Sequence, residues 1–405
     1  MSKQVTLKRS ITLPMMVLYG LGTTIGAGIY ALIGEIAHIA GYYSPISFLV
    51  ASLMAGFTAI SFAELSARFP RAAGAALYVK QGFNSDHLST LVGLLVILAG
   101  LVSAAALVNG FVGYLHQFLE IERVSAIIII TLILGGIAAW GIAESVIIAS
   151  VITIVEIGGL LLVVLVSGDA LLTLPDRWGE FIPPANFASW SGIYLGAILS
   201  FYAFIGFEDM VDVAEEVKNV KRNLPLAILL TLGITTFIYM LLITTAVLSM
   251  PPSELAKSGA PLAEIYQFHT GEKAVAISII GIFAIINGAL IQMIMASRVL
   301  YGLSSRGLLP RLLSSVHQHT QTPLIATAVV TFTILIVALI GRLTSLAEMT
   351  SIIMLSIFSM VNFSLWRVKL RTPEPGDIQT YPIWIPVIGF LVSSAFVLSK
   401  LLSLL

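Results

Sequence analysis

The sequence predicts an all-α integral membrane protein of about eleven transmembrane helices, a five-plus-five inverted repeat with one extra C-terminal helix. Three observations predict it. The 405 residues are 58% hydrophobic and only 10% charged, where soluble domains carry roughly 25% charged residues. The apolar runs are long enough to cross a hydrocarbon core of about 30 Å, which takes roughly 20 helical residues. The first and sixth runs are interrupted by glycine and polar residues at mid-membrane depth, where a helix is ordinarily apolar.

In chain order the runs lie near residues 11–38, 43–66, 88–115, 124–142, 146–167, 191–216, 224–249, 274–303, 323–341, 343–366 and 381–402. Residues 1–10 read as a short polar cytoplasmic start carrying Lys3, Lys8 and Arg9. The run that follows extends from Ile11 to about Ala37, too long for a cleaved leader, so a retained first span is expected. Residues 11–167 form the expected first repeat, 168–190 an external loop, 191–366 the second repeat, and 367–405 a cytoplasmic loop and helix eleven. Connections are short except Ser167–Trp190, Met250–Lys273 and Arg306–Thr322; the first two are rich in Pro, Gly and acids, as exposed loops are.

Orientation follows from the basic residues. With the N-terminus inside, 15 of the 21 Lys and Arg fall on cytoplasmic ends and loops and 6 on the other side. The N-terminus is therefore expected inside and, with an odd span count, the C-terminus outside. Five is odd too, so spans 1–5 and 6–10 overlay as halves of opposite orientation, each beginning with its broken helix. The overlay rests on span order and break position. Span 11 stands outside it, at the expected periphery.

Composition excludes several functions. No cysteine is present, hence no disulfide, thiol chemistry or thiolate metal site. A net charge of zero implies no polyanionic partner and no nucleic acid. No GxxxxGK[ST] loop supports ATP-driven transport. The six histidines lack ligand spacing for a metal, no nucleophile–base pairing suggests an enzyme, and no cofactor is expected.

The interruptions carry the chemistry. They are Gly20-Leu21-Gly22-Thr23-Thr24-Ile25-Gly26-Ala27-Gly28-Ile29-Tyr30 and Ser200-Phe201-Tyr202-Ala203-Phe204-Ile205-Gly206-Phe207-Glu208-Asp209. Unwinding in hydrocarbon is tolerated only where backbone lines a cavity or is buried in protein. Half-helix N-termini offer N–H donors and partial positive charge, which suit a carboxylate. Exposed carbonyls suit an ammonium or a metal cation. A zwitterionic amino acid presents both groups, so Thr24–Gly28 is placed for the carboxylate and Tyr202–Gly206 for the amine. Helix packing is the competing reading, since Gly22 and Gly26 form a small-xxx-small pair. Glycine breaks at matching places in two halves favour a binding site.

Gly22-Thr23-Thr24-Ile25-Gly26-Ala27-Gly28-Ile29-Tyr30 resembles the first-helix signature of the amino acid–polyamine–organocation family. Phe204-Ile205-Gly206-Phe207-Glu208, with Ala214-Glu215-Glu216-Val217-Lys218-Asn219 and Arg222-Asn223-Leu224-Pro225, is similar to its sixth-helix signature and following loop. Ser297-Arg298-Val299-Leu300-Tyr301-Gly302 with Ser305-Arg306-Gly307-Leu308-Leu309-Pro310 resembles the end of the eighth helix, and Arg68-Phe69-Pro70-Arg71-Ala72-Ala73-Gly74 to Tyr78 the loop after the second. The resemblance spans helices one to ten. It implies the fold of the bacterial sodium-coupled leucine transporter and transport of amino acids or related amines. It further implies that Thr23, Thr24, Ile25, Gly26 and Gly28 meet the substrate carboxylate, and that Phe204, Ile205 and Gly206 give carbonyls and a wall on the amine side. Tyr202 stands where some relatives place an aromatic gate, although a packing tyrosine reads equally well. Glu208 follows the break, where it can stabilise the half-helix start or steer substrate.

Glu156 departs from the family pattern. It lies mid-span with apolar neighbours, where a charge costs about 2.5–3.5 kcal/mol on insertion scales, so an intramembrane acid is by default a functional-site hypothesis. Proton-coupled bacterial relatives often have a lysine at this place. Glu156 is therefore expected to carry or gate a coupling proton, or to anchor a cation between helices 1, 5 and 8; a protonated structural glutamate is the alternative. Sodium coupling is less favoured, because helix eight has no Ser or Thr between Ser278 and Ser297. Asn287 in that helix is placed to meet substrate or Glu156, or to hydrogen-bond between helices.

Asp209, Asp212 and Glu216 fall at i, i+3, i+7 on one helical face, and Glu208, Asp212 and Glu215 on an overlapping one. They read as an acidic inner pathway or as a gate cluster paired with Arg68, Arg71, Lys218 or Arg222. Glu64, Glu144 and Glu348 lie near span ends, in expected solvated or interfacial roles. The whole reads as an inner-membrane secondary carrier of amino acids, preferably neutral and proton-driven, with a cationic amino acid or polyamine carrier as the alternative. A passive channel or sensor is the alternative from another class. Expected partners are the substrate, protons and the bilayer; oligomeric state is left open.

Overall fold

In the computed structural model, residues 9–71, 74–140, 146–305, 307–372, 376 and 378–403 are described. Expectations about Lys3, Lys8, Glu144 and Arg306 lie outside them. Among the described residues the chain is helical throughout, apart from one isolated parallel bridge, Ile11 to Val217.

The first span is two helices, α1 (Leu13–Thr24) and α2 (Ala27–Ala40), separated by Ile25 and Gly26. Then follow α3 (Ser44–Arg68), the short α4 (Gly74–Phe83), α5 (Asp86–Leu115), α6 (Arg123–Trp140) and α7 (Val146–Val166). The connection to the second half holds α8 (Gly168–Leu172) and α9 (Leu174–Arg177). Span six is α10 (Phe187–Tyr202), a turn, and a 3-10 helix over Phe207–Glu216. Next come α11 (Val220–Ser249), the short α12 (Pro252–Leu255) and α13 (Pro261–Thr270), α14 (Val275–Ser305), α15 (Leu324–Ile340), α16 (Leu343–Arg371) and α17 (Trp384–Leu402). Each of the eleven expected runs is helical. Among the described residues, eight helical stretches are long and apolar enough to cross a membrane by length and composition, and Ser150–Val166 and Leu324–Ile340 are shorter apolar helices.

The packing carries the repeat. Exchanging each helix of the first five spans for its counterpart five spans later leaves the main neighbour pairs unchanged. α5 packs on α14, α3 on α11 and α6 on α15, three pairs that map onto themselves. The contact of α1 with α7 maps onto α10 with α16, α1 with α11 onto α10 with α3, and α5 with α16 onto α14 with α7. α17 packs outside this set, against α16 and α3. Large apolar side chains such as Leu53, Ile133, Leu165, Phe237, Phe283, Phe332 and Ile336 face outward, as they do where lipid replaces water as the surrounding solvent.

One acid departs from its expected setting. Glu64 is fully buried rather than solvated: its carboxylate pairs with Arg68 at 2.7 Å and with Lys369 at 2.7 Å, and accepts from the Tyr381 N–H at 3.0 Å. Arg68 of its own helix and two groups 305 and 317 residues away thus surround it, and a buried acid is tolerated because it is paired and hydrogen-bonded. Glu348 pairs with Lys400 at 2.8 Å, joining α16 to α17.

Candidate functional site

Both breaks are real interruptions of helix. Ile25 (ψ 75°) leaves the helical region after α1, and Gly26 begins α2 with φ −124° and ψ −145°. The first-turn N–H groups of α2 have no partner within the helix, and no side chain caps them. In span six, Gly206 takes φ +129°, a conformation open to glycine and strained for any side chain. A Cβ there would also collide with the Thr23 carbonyl, so the two breaks touch backbone to backbone. At Gly28 a Cβ would sit 2.9 Å from the Ala203 Cα. These glycines are what let two unwound segments meet.

Side chains then tie the breaks together. The Thr23 hydroxyl lies 3.0 Å from both the Gly20 and Gly206 carbonyls. The Tyr239 hydroxyl, from α11, is 3.0 Å from the Thr24 carbonyl and 3.0 Å from that of Ala203. The Glu208 carboxylate accepts from the Gly206 N–H at 2.8 Å, capping the start of the 3-10 segment.

A cavity of about 50 Å³ lies beside the breaks, lined by Thr23, Thr24, Gly26, Gly28, Tyr202 and Ile205, with Ser103 and Leu107 from α5 and Gly288, Ile291 and Gln292 from α14. The Tyr202 hydroxyl pairs with the Ser103 hydroxyl at 2.9 Å. A second cavity of about 130 Å³ adjoins it and extends toward α4, with Glu208, Asp209 and Asp212 on its wall. Ser103, Ile205, Asp209 and Gln292 border both.

Several expected site residues stand elsewhere. Ile25 is fully buried and borders neither cavity. Phe204 packs in an aromatic cluster with Phe48 and Tyr239 behind the break. Gly206 serves the contact between breaks. Asn287 is half-buried and outside both linings; α14 lines the cavities with Gly288, Ile291, Gln292, Met295 and Val299. Glu156 is buried at 2% exposure; its backbone carbonyl accepts from the Tyr30 hydroxyl at 2.7 Å, and its helix packs on α1 and α14.

The acidic stripe is rearranged for a geometric reason. The segment is a 3-10 helix, with three residues per turn rather than 3.6. Asp209 and Asp212 stay aligned, but the next acid in that row is Glu215, not Glu216. Asp212 and Glu215 are exposed, Glu208, Asp209 and Glu216 half-buried.

The described residues form an apolar helical bundle in which two helices break face to face beside an internal cavity. The model of the amino acid permease family matches residues 11–402. The chain belongs to the amino acid permease family. Among its relatives, the vacuolar cationic amino acid transporter 2 of Arabidopsis thaliana is 28% identical over 92% of this chain and 62% of its own length. The branched-chain amino acid permease BcaP of Bacillus subtilis is 28% identical, with 92% of this chain and 83% of the relative covered. The methylthioribose transporter of Bacillus subtilis is 27% identical, covering 96% and 87%. The chain thus spans under two thirds of the length of the plant relative and most of the bacterial ones.

Proposed function

We propose that the chain is a secondary carrier of amino acids in the cytoplasmic (inner) membrane, working by alternating access. Its N-terminus is cytoplasmic, its C-terminus external, and residues 11–167 and 191–366 are the two repeats. One observation carries the reading: a single cavity is bordered by two breaks with opposite leftover backbone groups. Uncapped N–H groups at the start of α2 suit a carboxylate. Carbonyls at the span-six break suit an amine. Relatives named for cationic and branched-chain amino acids support the substrate class.

By this measure of volume a water takes at least ~10–15 Å³, so the 50 Å³ central cavity matches the carboxylate, α-carbon and amine of an amino acid. A longer side chain then extends into the second cavity. Its wall of Val96, Met295, Val299 and Ile357 supports a neutral aliphatic side chain. Asp209 on both linings favours the second reading, a cationic one. Protons are the proposed coupling ion, with Glu156 as carrier. The test is reconstitution into liposomes: saturable uptake with counterflow supports a carrier. Flux without saturation or counterflow would mean a channel, and binding without flux a sensor.

A further inference from the structure

The amine side of the cavity has fewer free backbone acceptors than its five residues suggest. The Tyr202 carbonyl accepts from the Ile205 N–H at 3.3 Å, and the Ala203 carbonyl from Tyr239 at 3.0 Å. The Gly206 carbonyl accepts from Thr23 at 3.0 Å and from the Asp209 N–H at 3.1 Å. Among the described residues, only the Phe204 and Ile205 carbonyls of this turn are left without a donor. An ammonium brings three donors and a full positive charge. Two carbonyl dipoles leave one donor and most of that charge unmatched.

The missing group is on the same wall. Asp209 is half-buried and borders both cavities. Among the described residues its carboxylate has no hydrogen bond or ion pair, whereas the carboxylate of Glu208 is engaged on the Gly206 N–H. No lysine or arginine lines either cavity to neutralise it. A second side chain also waits for a ligand there: the Thr24 hydroxyl, 3% exposed and bordering the central cavity, has no hydrogen-bond partner. A buried polar group left unpaired is costly, so the Thr24 hydroxyl calls for a partner in the cavity that the half-buried Asp209 carboxylate also borders.

We propose that the Asp209 carboxylate binds an ammonium group of the substrate and so makes the carrier selective for amine-bearing ligands. The inference rests on the carrier reading above. Two sources supply that chemistry, the α-ammonium of any amino acid and the side-chain ammonium of a cationic one. Asp209 stands where the two cavities meet, within reach of either.

The test measures affinities of L-leucine, L-lysine and 1,4-diaminobutane for the purified full-length protein, by calorimetry and thermal shift. Asp209→Asn is expected to weaken every probe whose ammonium it holds by ~10-fold or more, the usual size for a hydrogen bond to a charged group. Loss for leucine and lysine alike identifies the α-ammonium. Loss for lysine or the diamine with leucine unchanged identifies the side-chain ammonium. Either result upholds the proposal. Unchanged affinity for every bound probe, with flux intact, overturns it and leaves the carrier standing. Failure of the wild-type protein to bind any of the three overturns both. Asp209→Ser is read in parallel, with ligand-free melting temperatures, so misfolding of one variant leaves the comparison in place.

Discussion

The Thr23 hydroxyl lies 3.0 Å from the Gly206 carbonyl, so a side chain of the first broken helix satisfies backbone freed by the second. In hydrocarbon an unsatisfied carbonyl has no water to turn to. The Gly206 carbonyl also accepts from the Asp209 N–H at 3.1 Å, so the contact between the breaks adds to a hydrogen bond within the second span.

Tyr239→Phe tests the contact between the breaks. It removes one hydroxyl that serves both Thr24 and Ala203. The hydroxyl has one hydrogen, shared between the two carbonyls, so its removal leaves a buried acceptor unpaired and a loss of about 1–3 kcal/mol is expected. A lowered melting temperature in detergent checks it, together with slower uptake by the reconstituted variant.

Gly206→Ala is expected to be harsher. It combines a positive φ of 129° with a collision against the Thr23 backbone, which has no free end to swing away. Yield of folded protein by size-exclusion chromatography should collapse, or transport should vanish where folding survives. An active, stable Ala variant would show that the breaks do not meet as described.

Glu156→Gln addresses coupling. Uptake driven by an inward proton gradient in liposomes is expected to lose its pH dependence, while counterflow without a gradient persists. Fully pH-driven uptake by the variant would remove Glu156 as the proton carrier.

Glu64→Gln should be the most destabilising single change at the basic end of the bundle. It removes the carboxylate that both Arg68 and Lys369, only 4% and 6% exposed, pair with. Breaking a buried pair costs about 3–5 kcal/mol. The double variant Glu64→Gln with Lys369→Met should be less destabilised than Glu64→Gln alone, measured by thermal unfolding.

Much of the architecture was legible because hydrocarbon leaves few alternatives. Gly22 to Gly28 and Gly206 pointed to the breaks because they stand at matching places in the two halves, which helix packing alone does not require. The packing of the two halves followed from span order. Three features were hidden for distinct reasons. Phe207–Glu216 has the composition of an α-helix end, and nothing in that composition signals three residues per turn. Glu64 looked like a span-end acid because its partner Lys369 lies 305 residues away; its i, i+4 neighbour Arg68 was the available signal. Asn287 and Gln292 are the polar groups that helix eight offers, and which of them borders a cavity depends on how α14 packs on α5, which no local pattern encodes.

The bridge between Ile11 and Val217 has a mechanical consequence. The N–H groups of Ser10 and Ile11 donate to the Glu216 carbonyl at 2.9 and 3.0 Å, and Lys218 donates back to Ile11 at 2.9 Å. The chain at the N-terminal end of α1 is thereby sewn to the end of the 3-10 segment. A movement that parted them would break three backbone hydrogen bonds, and one that swings them together breaks none. The two half-helices on that side share one hinge coordinate, like a door with two leaves and a single bolt.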